Sequence, residues 1–441
     1  MAVQEDLEAV DAEFRDPGTA FTSVFLINCG GTLPLTSLLP SLPEGAILYV
    51  IDSHRPYHPD NVADGHKVIL LGDEDPYRDV SAGSSQDVSL AKKRHRGNKE
   101  ESAGTTLVDE EGSDEDDEDE EEEDEGSYYG PSASQVALLL AESEGKGADP
   151  DILWWAIVGA TDQLIHRRVS DAVYESFAQE IGRSIPSEES EDSEDQSNAV
   201  KVGGIKRKSN ELRLVLLRHW NLYDSLFHSP VFATKLRLWL QNGREKLELI
   251  LARVGVSLDR SKAPFSSLPD DVFRRFREKL PKAVAGIDES ALFFMSFVRD
   301  FRGARRIQLS ASDVVYATES ILESGTDDAF WRAYSSIAAG GSNVTQLLQG
   351  IQTAIEQQQD IVRQASAMLA GKSFLMAGPF RYATLHESTL LPRFVHPMAL
   401  SRLAHFLMDA LNVCSSIIIL NRGFFFHLFF LNRNFVQTKN L

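Results

Sequence analysis

Val24-Phe25-Leu26-Ile27, running into Asn28-Cys29-Gly30-Gly31, and Ala46-Ile47-Leu48-Tyr49-Val50-Ile51, running into Asp52-Ser53-His54-Arg55-Pro56, decide the fold class. Apolar runs this short, β-branched or aromatic and closed by Gly or Pro, read as parallel strands covered on both faces rather than as helices. In an open α/β sheet, ligands and catalytic groups gather where strands end, so Asn28, Asp52 and His54 are expected on one rim. Pro34 to Pro43 is rich enough in Leu for a short helical crossover, interrupted at Pro40, and Lys67 to Leu71 reads as a third strand.

The chain has 441 residues, 42% of them hydrophobic. That suffices for two or three cores at the usual size of roughly 100 to 200 residues per domain. Two cysteines exclude a disulfide framework and a Cys-based zinc site, and point to a reducing, intracellular compartment. Met1 to Asp16 is rich in acid where a secretory signal needs a basic and then an apolar stretch, so none is expected. The net charge of -22 is local: residues 109–125 hold 15 acidic residues and 188–195 another 6. Without those runs the chain carries 45 acids against 44 bases. Such runs repel themselves and read as disordered. A near-neutral remainder neither requires nor excludes nucleic acid, because a basic stripe can occupy one face.

Four segments follow from these shifts in composition. Residues 1–186 read as an α/β domain with a polar, acidic insertion at about 72–130, and its first 22 residues, lacking clear periodicity, as a loose lead-in. Ser132 and Gln135 have capping-box spacing ahead of Val136, Leu139 and Leu140 on one helical face. Asp149-Pro150 opens a helix whose Ile152 to Val158 is apolar on every side and therefore buried; it runs into Asp162, a carboxylate emerging from a buried segment. Residues 187–210 read as an acidic, then basic, linker.

Residues 211–371 are expected to form an all-α module. Leu247, Ile250, Leu251 and Val254 share a face before Gly255; Pro269 starts, and Pro281 stops, a helix carrying Val272, Phe273, Phe276 and Leu280. Ser310 caps a helix through Val314, Ala317 and Ile321, and Ser342 opens the longest one, ending at Gly371. Residues 372–441 read as a partial α/β segment with a short strand at Arg381 to Leu385 and an apolar tail. In that tail Asn421-Arg422-Gly423 splits Ser415 to Leu431 into pieces shorter than the ~20 residues of a membrane helix, so no membrane span is expected.

A phosphate loop, a Gly-x-Ser-x-Gly elbow and a His-Glu-x-x-His pair are all missing; His386-Glu387 has no second His. What remains is Asp52, His54 and Asp162. Two carboxylates and an imidazole could hold Mn²⁺ or Mg²⁺, but a two-metal hydrolase needs several more ligands. The plainer role for Asp52 and Asp162 is to cap or bridge backbone amides, and neither a metal nor another cofactor is expected. Lys92-Lys93-Arg94-His95-Arg96 and Lys206-Arg207-Lys208 are candidate nuclear-import signals, exposed beside the acidic runs.

Several stretches resemble the cell division control protein 45 family, over about Val24 to the 410s. They are Asp52 to Pro56, Leu153-Trp154-Trp155-Ala156-Ile157-Val158-Gly159-Ala160-Thr161-Asp162-Gln163, His219-Trp220 through Asp224-Ser225-Leu226, Ala311-Ser312-Asp313-Val314-Val315-Tyr316-Ala317, and Gly378-Pro379-Phe380. The Trp-Trp run is the most specific, Trp being rare. The family is similar to the DHH phosphoesterases, including the RecJ nuclease, and serves as a helicase subunit with the MCM ring and the GINS complex at eukaryotic replication forks. The resemblance implies a degenerate DHH-type parallel sheet in residues 1–186. Where DHH enzymes place an Asp, this chain has Asn28; where they carry Asp-His-His, it has Asp52, Ser53 and His54; their later acidic ligand matches Asp162. Two ligand positions are thereby neutralised, which implies a vestigial site and no catalytic residue. The block that should precede Val24, and most of a carboxy-terminal α/β domain, do not appear, the pattern of a truncated gene model.

Two functions compete. In the first the chain is a nuclear, non-catalytic subunit of the replicative helicase, acting in initiation and elongation with the MCM ring and the GINS complex, and with single-stranded DNA as a candidate ligand. The alternative is a metal-dependent phosphoesterase or single-strand exonuclease. Asn is a weaker, neutral ligand and Ser53 cannot replace an imidazole, so the first is favoured. The main partner surface is expected on the helical module, on stripes that carry Trp239, Phe273 and Phe276.

Overall fold

The computed structural model describes residues 2–15, 21–72, 127–147, 149–183, 185–186, 204–284, 286–301, 307–337, 344–371, 373–377, 380–385, 390–412, 417–421 and 427–429. The cluster Lys92 to Arg96, both acidic runs, Ser342 and Gly378-Pro379 lie outside the described residues. The fold is mixed α/β and divides into two compact units, Met1–Ala133 with Val169–Ser176, and Ser134–Arg168 with Phe177–Leu441.

In the first unit the amino-terminal stretch is a helix, not a loose lead-in: α1 spans Ala2–Phe14. Leu7 and Phe14, two turns apart, share one core with Leu26, Leu35, Leu39, Leu48, Val50 and Val68. Buried Asp11 fixes the chain beyond, accepting from the Ser41 N–H at 2.8 Å and the Ser41 hydroxyl at 3.0 Å and pairing with Arg15 at 2.6 Å. Acid on the exposed face, Glu8 and Glu13, dilutes the apolar period in the sequence.

The strands are β1 (Ser23–Ile27), β2 (Ile47–Ile51), β3 (His54–Arg55), β4 (Val68–Leu70) and β5 (Tyr128–Tyr129). β1, β2 and β4 form a parallel sheet in the order β1-β2-β4, with Phe25 opposite Tyr49 and Tyr49 opposite Ile69. A short helix at Leu35–Leu38 makes the crossover and buries Leu35. β2 buries Leu48 and Val50 on one face and Ile51 on the other, where Ile47 and Tyr49 are half-buried, but β1 is an edge strand with only Leu26 buried; Phe25 and Ile27 are 58% and 63% exposed. A run of four apolar residues looks the same whether one face or two are covered. β5 lies within the expected insertion and pairs antiparallel with β3.

In the second unit, α2 (Ala133–Ser143) precedes α3 (Pro150–Ile165). Asp149 caps α3 by accepting from the Asp151 N–H at 2.8 Å, and Trp154, Ala156 and Ile157 are buried. Strands stand inside the expected linker and inside the expected all-α module. β6 (Ile205–Leu212) pairs antiparallel with β7 (Phe293–Phe301), which pairs antiparallel with β8 (Ile307–Ser310). Lys206, Arg207 and Lys208 are therefore half-buried ladder residues opposite Val298, Phe297 and Ser296, not an exposed import signal. Arg207 also donates to the Gly182 carbonyl at 3.0 Å.

The longer helices that follow β6 are α4 (Gln241–Val254), α5 (Asp270–Ala283), α6 (Ala311–Leu322), α7 (Ala329–Ile337), α8 (Val344–Gly371) and α9 (Pro397–Leu411). Gly255, at φ 84°, ends α4 in the left-handed conformation that Gly adopts freely. α5 continues past Pro281 to Ala283, the proline costing only a donor in the last turn. Ser310 and Asp313 close a capping box at the start of α6, each accepting from the other's N–H, at 3.1 and 3.2 Å. Leu247, Ile250, Leu251, Val254, Val272, Phe276 and Leu280 join Ile361, Leu403 and Phe406 in one core.

Phe276 is fully buried, while Phe273 and Trp239 pack on the same core, Trp239 edge-on to Phe406 at 6.4 Å. The aromatics expected to meet a partner are core. The apparent surplus in the module is consumed by α9, which lies outside residues 211–371. At the carboxy-terminal end, β9 (Leu375–Ala377), β10 (Phe380–Leu385), β11 (Ile417–Asn421) and β12 (His427–Phe429) form a sheet in the order β12-β11-β10-β9, with β10 and β11 parallel. Among the described residues no helix is long and apolar enough to cross a membrane.

Candidate functional site

The rim of the first unit begins where β1 ends. Asn28 turns the chain at φ 57°, a left-handed conformation that Asn tolerates; its N–H donates to the Ile51 carbonyl at 2.6 Å and its side-chain oxygen accepts the Ser53 hydroxyl at 3.3 Å. A Cβ on Gly31 would stand 2.8 Å from the Tyr57 ring and 3.1 Å from the Asp52 Cβ, so only Gly lets this loop close on Asp52. The Asp52 carboxylate is buried and both of its oxygens are in use. Oδ2 accepts the Gly31 N–H at 2.9 Å; Oδ1 accepts the His54 N–H at 3.1 Å and lies 2.7 Å from His54 Nδ1. Burial pushes this carboxyl up, but the hydrogen bonds from the His54 side chain, the His54 N–H and the Gly31 N–H outweigh it, and its pKa falls below the ordinary value.

Asn28, Asp52, Ser53 and His54 are thus brought together, and three further residues complete the site. Buried Arg55 donates from Nη1 to the carbonyls of Asp52 at 2.5 Å and His54 at 3.1 Å, and from Nη2 to the Gly72 carbonyl at 3.0 Å. Its guanidinium lies 3.7 Å from the centre of the Tyr57 ring, whose hydroxyl donates to the Asp52 carbonyl at 3.1 Å. Sequence reasoning passed over Gly31, Arg55 and Tyr57, although Arg55 stands inside the quoted motif. These residues do not fit the metal centre of a DHH enzyme. The Asn28 oxygen is turned to Ser53, both Asp52 oxygens already accept hydrogen bonds, and the described residues contain no group of three or more His, Cys, Asp or Glu able to hold an ion.

Asp162 belongs to the second unit, in the last turn of α3. It pairs with Arg168 at 2.8 Å and faces His166 Nε2 at 3.4 Å, so it meets side chains rather than the backbone amides expected for it. Inside a helix those amides already have partners. Buried His166 also faces Glu319 of α6 at 3.5 Å, and Glu319 pairs at 3.3 Å with Arg402 of α9. Arg402 donates in turn to the side chain of Gln358 on α8 and stacks 4.9 Å from the centre of the Tyr316 ring.

Burial pushes the Glu319 carboxyl up, but the Arg402 charge and the neighbouring His166 more than offset it and bring it down to about 2. One turn on, Glu323 accepts the N–H groups of Met398 at 2.8 Å and Ala399 at 3.3 Å, in the first turn of α9. Its Oε2 is buried with no hydrogen bond, and burial, then the neighbouring Glu319 charge, push its carboxyl up to about 7. Sequence reasoning missed this network. Its trace is a charge in an apolar stripe: Glu319 four residues after buried Val315, and Arg402 between buried Ala399 and Phe406. Asp313, from another quoted motif, lies 3.4 Å from Arg218 and 3.5 Å from His219, so two motifs distant in sequence meet.

Known proteins match along the same length. The CDC45 family model matches residues 2–127, 124–329 and 326–417. The cell division control protein 45 homolog of Dictyostelium discoideum is 31% identical, the match covering 92% of this chain and 76% of that protein. The Homo sapiens homolog is 28% identical over 93% of this chain and 75% of that protein. In fold, the crystal structure of CDC45 from Entamoeba histolytica matches with a TM-score of 0.69 at 24% identity, covering 94% of this chain and 74% of that one. By the family match over residues 2–417 and the Dictyostelium relative, the chain belongs to the CDC45 family.

Proposed function

We propose that this chain is a nuclear DNA replication factor, a non-catalytic subunit of the replicative helicase that assembles with the MCM ring and the GINS complex. The observation that carries the non-catalytic part is the state of Asp52: its two oxygens already take the Gly31 N–H, the His54 N–H and the His54 ring, and its neighbours Asn28 and Ser53 add no anionic or imidazole ligand. Family membership supports the role in replication, and single-stranded DNA is a candidate ligand on the same ground. Reconstitution tests the reading. The purified chain is expected to co-elute with MCM and GINS as one assembly, and not to cleave single-stranded oligonucleotides or small phosphodiesters in Mn²⁺. Failure to enter the assembly would sink the helicase role. Cleavage that disappears in Asp52→Ala and Asp162→Ala would instead establish the phosphoesterase alternative. Nuclear entry is assigned to Lys92, Lys93, Arg94 and Arg96, and a tagged chain with these four changed to Ala is expected to stay in the cytoplasm.

A further inference from the structure

α7 is built inside out. Its small residues Ala329, Ala333 and Ser336 are buried, while Phe330, Trp331 and Tyr334 are 59%, 67% and 52% exposed. An amphipathic helix ordinarily turns its large apolar residues to the core. Small inward residues let α7 lie close on α6 and α8, but this packing gives the aromatics no role. They touch one another instead, with centroids 5.2 Å apart for Phe330 and Trp331, 6.1 Å for Trp331 and Tyr334, and 6.5 Å for Phe330 and Tyr334. At ~200 Å² per aromatic side chain, these exposures leave roughly 350 Å² of continuous ring surface in water. That matches the largest patch a typical monomer carries, about 300–600 Å², and such patches are commonly interfaces.

We propose that this outward face of α7 is a docking site for an amphipathic helix of another protein that carries Lys or Arg along the edge of its apolar stripe. A second copy of the chain is disfavoured by area: two such patches bury roughly 700 Å², against about 1,200–2,000 Å² for a stable interface. Nucleic acid is disfavoured by charge, because base-stacking platforms lie in positively charged grooves. Here the residues leading into α7 are Asp327 and Asp328, both exposed and without an ion pair among the described residues. The nearby cation, Arg332, reaches to the Thr326 hydroxyl at 3.5 Å. Both carboxylates suit the amino-terminal end of α7, and that role leaves their charge facing outward. Three clustered aromatics beside two exposed carboxylates without an ion pair among the described residues match apolar anchors bordered by ammonium or guanidinium groups, the pattern of a helix laid on an apolar surface. The inference is independent of the helicase reading.

The test uses the full chain and a fluorescein-labelled, 18-residue helical peptide with a Leu stripe edged by Lys. A second peptide carries Glu in place of Lys. Anisotropy should show the Lys peptide binding, at least tenfold more weakly to the double variant Phe330→Ala/Trp331→Ala and about threefold more weakly to Asp327→Asn/Asp328→Asn. The Glu peptide should bind the wild type at least tenfold more weakly. The acidic runs also attract Lys, so only the binding lost in the aromatic variant counts. Equal binding to wild type and double variant would overturn the proposal. So would a lowered melting temperature of the double variant, a self-association in sedimentation that it abolishes, or oligo-dT binding that it abolishes; these mark the patch as core, a homodimer contact and a nucleic-acid platform respectively.

Discussion

Glu323→Gln is expected to stabilise the second unit at pH 8 and to destabilise it at pH 5. The Glu323 carboxyl stands at about 7 in the folded chain against 4.5 for the ordinary group. Between those values the folded state keeps a proton that the unfolded state has lost, so stability falls as pH rises from 4.5 to about 7 and stays low above it. At about 1.4 kcal/mol per pH unit the gap is worth about 3 kcal/mol, an upper figure. Glutamine keeps a carbonyl oxygen for the Met398 and Ala399 N–H groups and removes the charge that burial and Glu319 oppose. Its new amide group takes the place of Oε2, which is buried without a partner, at a cost of about 1–2 kcal/mol at every pH. The balance is a gain of about 1–2 kcal/mol at pH 8 and a smaller loss, about 0.5–1 kcal/mol, at pH 5, where the wild type has begun to lose its proton-linked stability. Two compact units need not unfold together, so the assay is amide hydrogen exchange on segments 311–322 and 397–411, corrected for intrinsic rate. A difference from wild type that stays constant between pH 5 and 8 would refute the reasoning.

Arg402→Leu strands the buried Glu319 carboxylate and should cost about 3–5 kcal/mol at pH 7. The Glu319 contribution in the wild type is present above 4.5 and lost as pH falls through about 2, so the gap between the two urea midpoints should narrow from pH 7 to pH 3. Gly350→Ala puts a Cβ 2.7 Å from the Ala317 carbonyl oxygen, a backbone atom that cannot swing aside. Overpacking of up to about 3 kcal/mol against a helix-propensity gain of about 1 leaves a loss of about 2 kcal/mol, seen as faster exchange in α6 and α8; unchanged protection would show that the helices separate freely. Asp52→Ala leaves the Gly31 and His54 N–H groups without their acceptor and should cost about 2–3 kcal/mol, with Asp52→Asn costing less; thermal melts that rank the two the other way would argue against a structural role.

The parts of the fold legible in the sequence are those written locally. β1 and β2 show as short apolar runs, the α3 stretch around Trp154 as apolar on every side, and the α6 cap as Ser310 three residues before Asp313. α1 escaped because buried Asp11 stands on its inner face and acid covers its outer one. β6 escaped for a different reason. Its hydrogen-bonding partner is far away, Ile205 pairing with Arg299, and its exposed middle is polar, so nothing within 205–212 announces a strand. Around the rim, the side chains of the Asp52 motif were legible but not their allegiance. That Asp52 would be consumed by Gly31, 21 residues earlier, depends on how the loop closes. Glu319 and Arg402 are 83 residues apart, and a pairing of that span has no period to betray it.

Arg55 holds both ends of the acidic excursion. Its guanidinium binds the Gly72 carbonyl where the chain departs, and its backbone pairs with Tyr128 in the β3–β5 ladder where the chain returns. The guanidinium also fills the space over Gly130, where a Cβ would come within 3.1 Å of it. The two ends of the excursion, Gly72 and Tyr128, are thus brought to one residue. The entropy of closing such a loop grows only with the logarithm of its length, and doubling it costs about 0.6 kcal/mol. Changes in the length of the acidic run should therefore have little effect on the stability of the parallel sheet, whereas losing the Arg55 guanidinium would release the Gly72 end and leave the returning end on its backbone ladder.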